Sequence, residues 1–404
     1  MFPPSSLTVL CLASYEKGHE FLRESKRHGC TVLLLTSESL MTSAEWPREA
    51  IDDIFYMPDV NRKWNLRHTI LAVSHFARNR RIDRIVPLDD FDLETAAALR
   101  EHMRVPGMGE TTTRYFRDKL AMRMRAQFAG LPVPEFVRLL NDSEIHDFTS
   151  KVAPPWMLKP RSQAGATGLK KISSQHELWK ELDALGDERS FCLLERYLPG
   201  EICHVDTIVY RRELLFSSAS RYGTPPMDVT HQGGVFTTQT LAPDSFESRQ
   251  LCELNWKVLK AFGLVSGVSH SEFIVSGDGT IYFLETSARV GGANIVELIE
   301  AATGVNLWRE WAKLEIAGED GHYSPPEPAR DAAGLLISLT KDEWPNTDEF
   351  RDPEIVWRMK KPWHIGMIVR SAQPARVEEL LQQYSARVRQ RYMAHQPPPD
   401  RPTH

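Results

Sequence analysis

Two glutamates on either side of a tight turn, with an arginine four residues beyond the second, carry the clearest chemical signal in the chain. They lie in the segment 268–295, VSHSEFIVSGDGTIYFLETSARVGGANI. Apolar, β-branched and aromatic runs flank Ser276-Gly277-Asp278-Gly279, and Gly and Asp supply the positive-φ positions of a hairpin turn. Side chains alternate along a strand, so His270, Glu272 and Ile274 share one face. Glu285, Ser287 and Arg289 share one face of the returning strand. A loop centred on Gly277-Asp278 sets Glu272 opposite Phe283, with Glu285 as its diagonal neighbour on the same face. A one-residue slip would separate the two carboxylates. Adjacent carboxylates repel unless a cation lies between them. Magnesium suits such a pair, because it takes oxygen from one or two carboxylates and the rest from phosphate and water. A solvated sheet face neutralised by Arg289 is the plainer alternative.

Two lysines come earlier. Lys119 falls in a stretch whose spacing predicts one helix over Thr113–Gln127: Thr111–Thr113 offer N-caps, Phe116, Leu120 and Met124 recur every four residues, and Gly130 and Pro132 close it. Lys159 ends a strand-like run, Trp156–Pro160, that enters the small-residue loop RSQAGATG containing Ser162, Gly165, Thr167 and Gly168. Such residues let backbone N–H groups approach a polyphosphate, and a lysine at the loop base adds a point charge. No Gly-Lys-Ser/Thr opens a helix, so this is not a P-loop. The strand FCLLERYL over 191–198 precedes Pro199-Gly200-Glu201. In an adenine slot there, backbone groups would meet the base and Glu201 would take ribose hydroxyls. Ordinary charged strand-edge chemistry also accounts for Glu195 and Glu201.

Positioning these groups requires sheets. Strand-like runs at Leu7–Leu12, Thr31–Leu35, Ile54–Met57 and Ile85–Leu88 alternate with helical spacing over Lys17–His28 and Leu66–Asn79, which predicts a parallel α/β unit. Its first turn lacks G-x-G-x-x-G, which disfavours a dinucleotide site. The acidic turn at 87–92 either faces a ligand or starts the helix Leu93–His102. Tyr222–Gly234 is polar and rich in Gly and Pro, a loop over the site. The 404 residues allow two or three domains, and 42% apolar and 25% charged residues are ordinary for a globular chain. A net charge of −5 argues against generic nucleic-acid binding. No run reaches the length of a membrane span. Five scattered cysteines read as buried thiols in a reducing cytoplasm.

In order and approximate spacing, Lys119, Lys159, Glu195-Arg196-Tyr197-Leu198 with Glu201, and Glu272 and Glu285 with Arg289 resemble the ATP-grasp superfamily. The likeness is strongest to its carboxylate–amine ligases, including amino-acid ligases that make dipeptides. The resemblance implies a parallel α/β pre-grasp domain over 1–112 and an ATP-grasp domain over 113–318, with a small lid subdomain over about 131–195. A small C-terminal α+β module over 319–393 and a disordered tail over 394–404 complete the expected division. It implies that Lys119 and Lys159 meet the ATP phosphates under a lid loop, Ser162 to Gly168. Arg196 and Leu198 would hold adenine beside Glu195, Glu201 the ribose, and Glu272 and Glu285 magnesium, with manganese an acceptable substitute. Arg289 and Lys159 would act on the acyl phosphate. One departure stands out: the family commonly places asparagine two residues after the second glutamate, where this chain has Ser287. Arg221, His231 and His270 are candidates for substrate contact. The implied activity joins a small carboxylate, such as an amino acid, to an amine, with ADP and phosphate released. Alternatives are a nucleotide-binding scaffold without turnover and a bicarbonate-activating enzyme. The implied partners are small molecules in the cytoplasm, without nucleic acid or membrane; a homodimer is admitted, but the sequence does not set the oligomeric state.

Overall fold

The computed structural model describes residues 7–394 except 164, 166, 226–228 and 230–232. Short runs of buried apolar residues build the first sheet: β1 (Thr8–Ala13), β2 (Thr31–Ser37), β3 (Asp53–Met57) and, after a small ribbon of β4 (Asp59–Val60) and β5 (Lys63–Trp64), β6 (Arg84–Pro87). The four long strands are parallel in the order β3-β2-β1-β6. Both faces are apolar, so helices cover both. Val9, Cys11, Val32 and Leu34 pack with Phe21 and Leu22 of α1 (His19–Arg27). Leu10, Leu12, Leu33 and Leu35 pack with Val73 of α2 (Leu66–Phe76) and Leu99 of α3 (Leu93–Met103). Strand order reverses at β1, and the turn after β6 carries Asp90 out at the carboxyl end of the sheet, where open α/β sheets meet ligands.

The single helix expected over Thr113–Gln127 is two, α4 (Glu110–Arg114) and α5 (Lys119–Phe128). Asp118 leaves helical geometry, and its carboxylate accepts the N–H groups of Leu120 at 2.9 Å and Ala121 at 3.3 Å. That cap makes Lys119 the first residue of α5 and buries it in the cleft, rather than leaving it on a solvated helix face.

A small antiparallel sheet follows, with β7 (Phe136–Arg138), β8 (Trp156–Pro160), β9 (Lys170–Ile172) and β10 (Cys192–Arg196) in the order β7-β10-β8-β9. It is backed by α6 (Asp142–Lys151) and α7 (Gln175–Leu185), whose Ile145, Leu178 and Leu182 share a core with Trp156, Leu158 and Leu194.

The largest sheet holds β11 (Gly200–Tyr210), β12 (Glu213–Tyr222), β13 (Phe236–Thr240), β14 (Gly267–Ser276) and β15 (Ile281–Ser287). It continues through β16 (Ala332–Leu339), β17 (Ile355–Arg358) and β18 (His364–Ser371), in the order β15-β14-β11-β12-β13-β16-β18-β17. The strands of the C-terminal segment thus continue the large sheet. Residues 236–239 of β13 pair with 334–337 of β16, which satisfies an edge that would otherwise carry open backbone groups. Helix α8 (Phe246–Phe262) covers one face of this sheet, with Leu251, Val258 and Phe262 against Val205, Phe273 and Phe283. Helices α9 (Ile295–Thr303) and α10 (Leu307–Ala317) lie in the other large core. Trp311 of α10 meets Phe21 of α1 edge-on at 5.4 Å, which joins the large sheet to the N-terminal one. Helix α11 (Pro374–Arg391) packs Val377 and Leu381 onto the C-terminal strands. Of the tail 394–404, expected to be disordered, Ala394 donates its N–H to the Leu339 carbonyl at 3.0 Å, and residues 395–404 lie outside the described residues.

Candidate active site

Glu272 and Glu285 stand directly opposite one another on β14 and β15, where the sequence placed Phe283 opposite Glu272. The reason is a β-bulge: Phe273 pairs with Phe283 while Glu272 pairs with Glu285, so Leu284 is an extra residue in β15. The bulge buries Phe283 against α8 and still turns Glu285 toward Glu272. Tyr222 Oη donates to Glu272 Oε1 at 2.9 Å, and His270 Nε2 lies 3.7 Å from the same oxygen.

Both carboxylates line a cleft between the small and the large sheet, together with Lys119, Lys159, Gln163, Gly165, Thr167, Glu195 and the segment 196–198. Met157, Ile202, Ile274 and Leu284 add apolar walls. Lys119 Nζ sits 2.7 Å from Glu285 Oε2 and donates to the Gln163 carbonyl at 2.7 Å, bridging the large sheet and the small-residue loop. Ser162 and Gly168 belong to that loop but do not line the cleft, and Ala164 and Ala166 lie outside the described residues.

Glu195 lines the cleft beside the segment 196–198. It is buried and ion-paired to Lys159 on β8 and to Arg123 on α5. Arg123, 1% exposed, gives Nε and Nη2 to Glu195 at 2.9 and 2.8 Å and Nη1 to the carbonyl of the bulge residue Leu284. Burial alone would raise the Glu195 carboxyl, but the two cations hold it below the usual range. Arg123 was not apparent as a site residue: a helical arginine carries no signal until its helix is packed into the core.

Two further expectations are corrected by strand parity. Glu201 and Arg221 face α8 and not the cleft: Arg221 pairs with Glu247 of α8, its Nε lies 3.2 Å from Glu201, and the Glu201 side chain is 60% exposed. Neighbouring Ile202 takes the cleft face. Neither Glu201 nor Arg221 lines the cleft. His231 lies outside the described residues.

His270 does face the carboxylates. Its Nδ1 is 2.9 Å from Asp206 Oδ1, and Asp206 Oδ2 is 2.7 Å from His204 Nδ1, whose other nitrogen meets Thr238 Oγ1 at 2.9 Å. Burial would lower His270, but the Asp206 charge and hydrogen bond outweigh it and raise its pKa to about 9. His204, burdened by burial, is lowered instead. Gly291 roofs this chain: a Cβ there would lie 3.0 Å from Asp206 Oδ1 and 2.8 Å from Ile295. The pattern His204-Val205-Asp206 inside an apolar strand was the readable sign of this network.

Ser287 and Arg289 meet Asp90 from the N-terminal unit. The Ser287 hydroxyl donates to Asp90 Oδ1, Arg289 Nε lies 3.9 Å from the same oxygen, and Arg117 pairs with the other oxygen at 2.9 Å. Arg289 Nη1 donates to the Val290 carbonyl at 2.7 Å, while its buried Nε has no hydrogen-bond partner among the described residues. Asp90, in the acidic turn that was expected either to face a ligand or to start a helix, instead positions two arginines and a serine.

The arrangement sets two lysines and a paired set of hard oxygen donors around one cleft, and Arg289 is not among the residues that line it. The donor set fits a hard divalent cation. No family model matches the chain. An L-arginine-specific L-amino acid ligase of Bacillus subtilis is 26% identical over 274 residues, covering 66% of this chain and 63% of that protein. The chain thus spans less than two thirds of that relative's length. The crystal structure of an L-amino acid ligase from Bacillus licheniformis superposes with a TM-score of 0.72 at 17% identity, covering 94% of this chain and 96% of the other. N5-carboxyaminoimidazole synthetase from Staphylococcus aureus, complexed with ADP, gives 0.70 at 16% identity, covering 95% and 98%.

Proposed function

We propose that this chain is an ATP-grasp carboxylate–amine ligase, like the ligases it is similar to, and that it activates a small carboxylate, such as an amino acid, with ATP and joins it to an amine. The observation that carries this reading is the direct pairing of Glu272 with Glu285 in a cleft that also holds Lys119 and Lys159.

A carboxylate is a poor electrophile, because its charge is delocalised and its oxygen does not leave. Phosphorylation turns that oxygen into a leaving group. Lys159 would meet the phosphates as a point charge, held in direction by Glu195. Lys119 would do so from the first turn of α5. Glu272 and Glu285 would hold magnesium or manganese, which when bound neutralises charge on the transferring phosphoryl group. Ser287 is a weaker candidate ligand, because its hydroxyl is given to Asp90. Arg289 would set its guanidinium charge near the acyl phosphate and the tetrahedral species formed when a neutral amine attacks. The loop 162–168 would cover the phosphates and keep water from the acyl phosphate. The backbone of Arg196 and Leu198 would meet the base.

The test is ADP release across pairs of amino acids, comparing the parent with Lys159→Ala and Glu285→Ala. Expected is turnover for some pairs, lost by about 10²-fold or more in both variants. Tight nucleotide binding with no turnover across a broad panel would favour the scaffold reading, which the commitment of Ser287 to Asp90 also suits.

A further inference from the structure

We infer that the cleft carries the nucleotide's sugar on an apolar floor and therefore separates ribose from 2′-deoxyribose only weakly. This rests on the nucleotide reading above. With the base at the segment 196–198 and the phosphates between Lys119 and Lys159, the sugar lies between them. There β11 and β14 run side by side, with Ile202 opposite Ile274, and both side chains line the cleft beside Gly200.

A carboxylate at that place would accept hydrogen bonds from both ribose hydroxyls. The neighbouring carboxylate is Glu201, and it is on the wrong side. It sits opposite Val275, next to Arg221, on the face covered by α8. Register prevents it from turning over. Strand β11 is locked between β12 and β14, and a one-residue slip would pull buried His204 and Asp206 from the cleft side and expose Cys203 and Val205. The other carboxylates lining the cleft are committed: Glu195 to Lys159 and Arg123, Glu272 to Tyr222, and Glu285 to Lys119. Among the described residues, what faces the sugar is isoleucine.

The magnitude follows from the chemistry of rejection. A site built to bind a hydroxyl rejects the analogue lacking it by roughly 10⁴–10⁵, because its buried polar groups are left unpaired. An apolar wall leaves nothing unpaired when the hydroxyl is missing. Calorimetry on the full chain with MgADP and with its 2′-deoxy counterpart tests this without knowledge of the amino-acid substrates. The two dissociation constants are expected within about 5-fold of each other. Ile202→Glu, checked by thermal melting, should open a gap of about 10-fold or more by tightening ADP alone, and Glu201→Gln should leave the parent's ratio unchanged. A parent preference for ADP of about 100-fold or more, or a preference that Glu201→Gln abolishes, would overturn the inference. A normally folded Ile202→Glu protein with no gap would count against the sugar lying over Ile202. Failure of both nucleotides to bind would instead overturn the nucleotide reading itself.

Discussion

Arg123 and Asp92 show what single buried charges do in this molecule. Arg123 spends three donors, on Glu195 and on the Leu284 carbonyl, with no solvent to replace them. Arg123→Met should therefore cost about 3–5 kcal/mol in urea denaturation, since it leaves Glu195 short of one of its two cations. Asp92 is a different case. Burial, followed by the charge of Asp89, pushes its carboxyl up to about 7. A raised folded-state pKa means that the folded protein holds a proton that the unfolded chain has released. The associated stability is fully present below the ordinary carboxylate range, near pH 3.8, and is lost as pH rises through about 7. Asn can still accept the Ser14 N–H that Asp92 accepts at 2.9 Å. The melting-temperature difference between Asp92→Asn and the parent should thus shift in favour of the variant between pH 5 and pH 8. An unchanged difference would contradict the assignment.

At the scale of elements, the cap on α5 and the bulge in β15 do the positioning. Asp118 starts α5 and also pairs with Arg161 at the base of the small-residue loop. Asp118→Ala should lose about 1 kcal/mol of stability from the cap. It should also weaken nucleotide binding, because Lys119 follows directly; stability loss with unchanged ADP affinity would confine the residue to capping. These devices also mark where sequence reading stopped. Alternation put Glu272 and Glu285 on one face, but nothing in the run 281–287 shows that Leu284 is an extra residue, because a bulge is a property of the pairing and not of one strand. Glu201 was misread for a related reason. A strand's parity is set by its partners, and Gly200-Glu201-Ile202 allows either face until β14 fixes it. The break at Tyr115–Asp118 was hidden because Phe116 and Leu120 keep helical spacing across it.

For the molecule as a whole, the parallel N-terminal sheet, the small sheet with its loop and the carboxylate hairpin were legible from local patterns. The contacts that bring them together were not. Asp90 reaches Ser287 across 197 positions, and Arg123 reaches Leu284 across 161. The continuation of the large sheet into β16 likewise follows from an edge that only the assembled fold exposes. No helix among the described residues is long and apolar enough to cross a membrane. The central claim is that a substrate carboxylate oxygen is phosphorylated and then leaves. Its most direct test supplies a ligated carboxylate labelled with ¹⁸O and weighs the released phosphate by mass spectrometry. Transfer of one labelled oxygen to phosphate for each product formed is the predicted result. Product formed with unlabelled phosphate would contradict it.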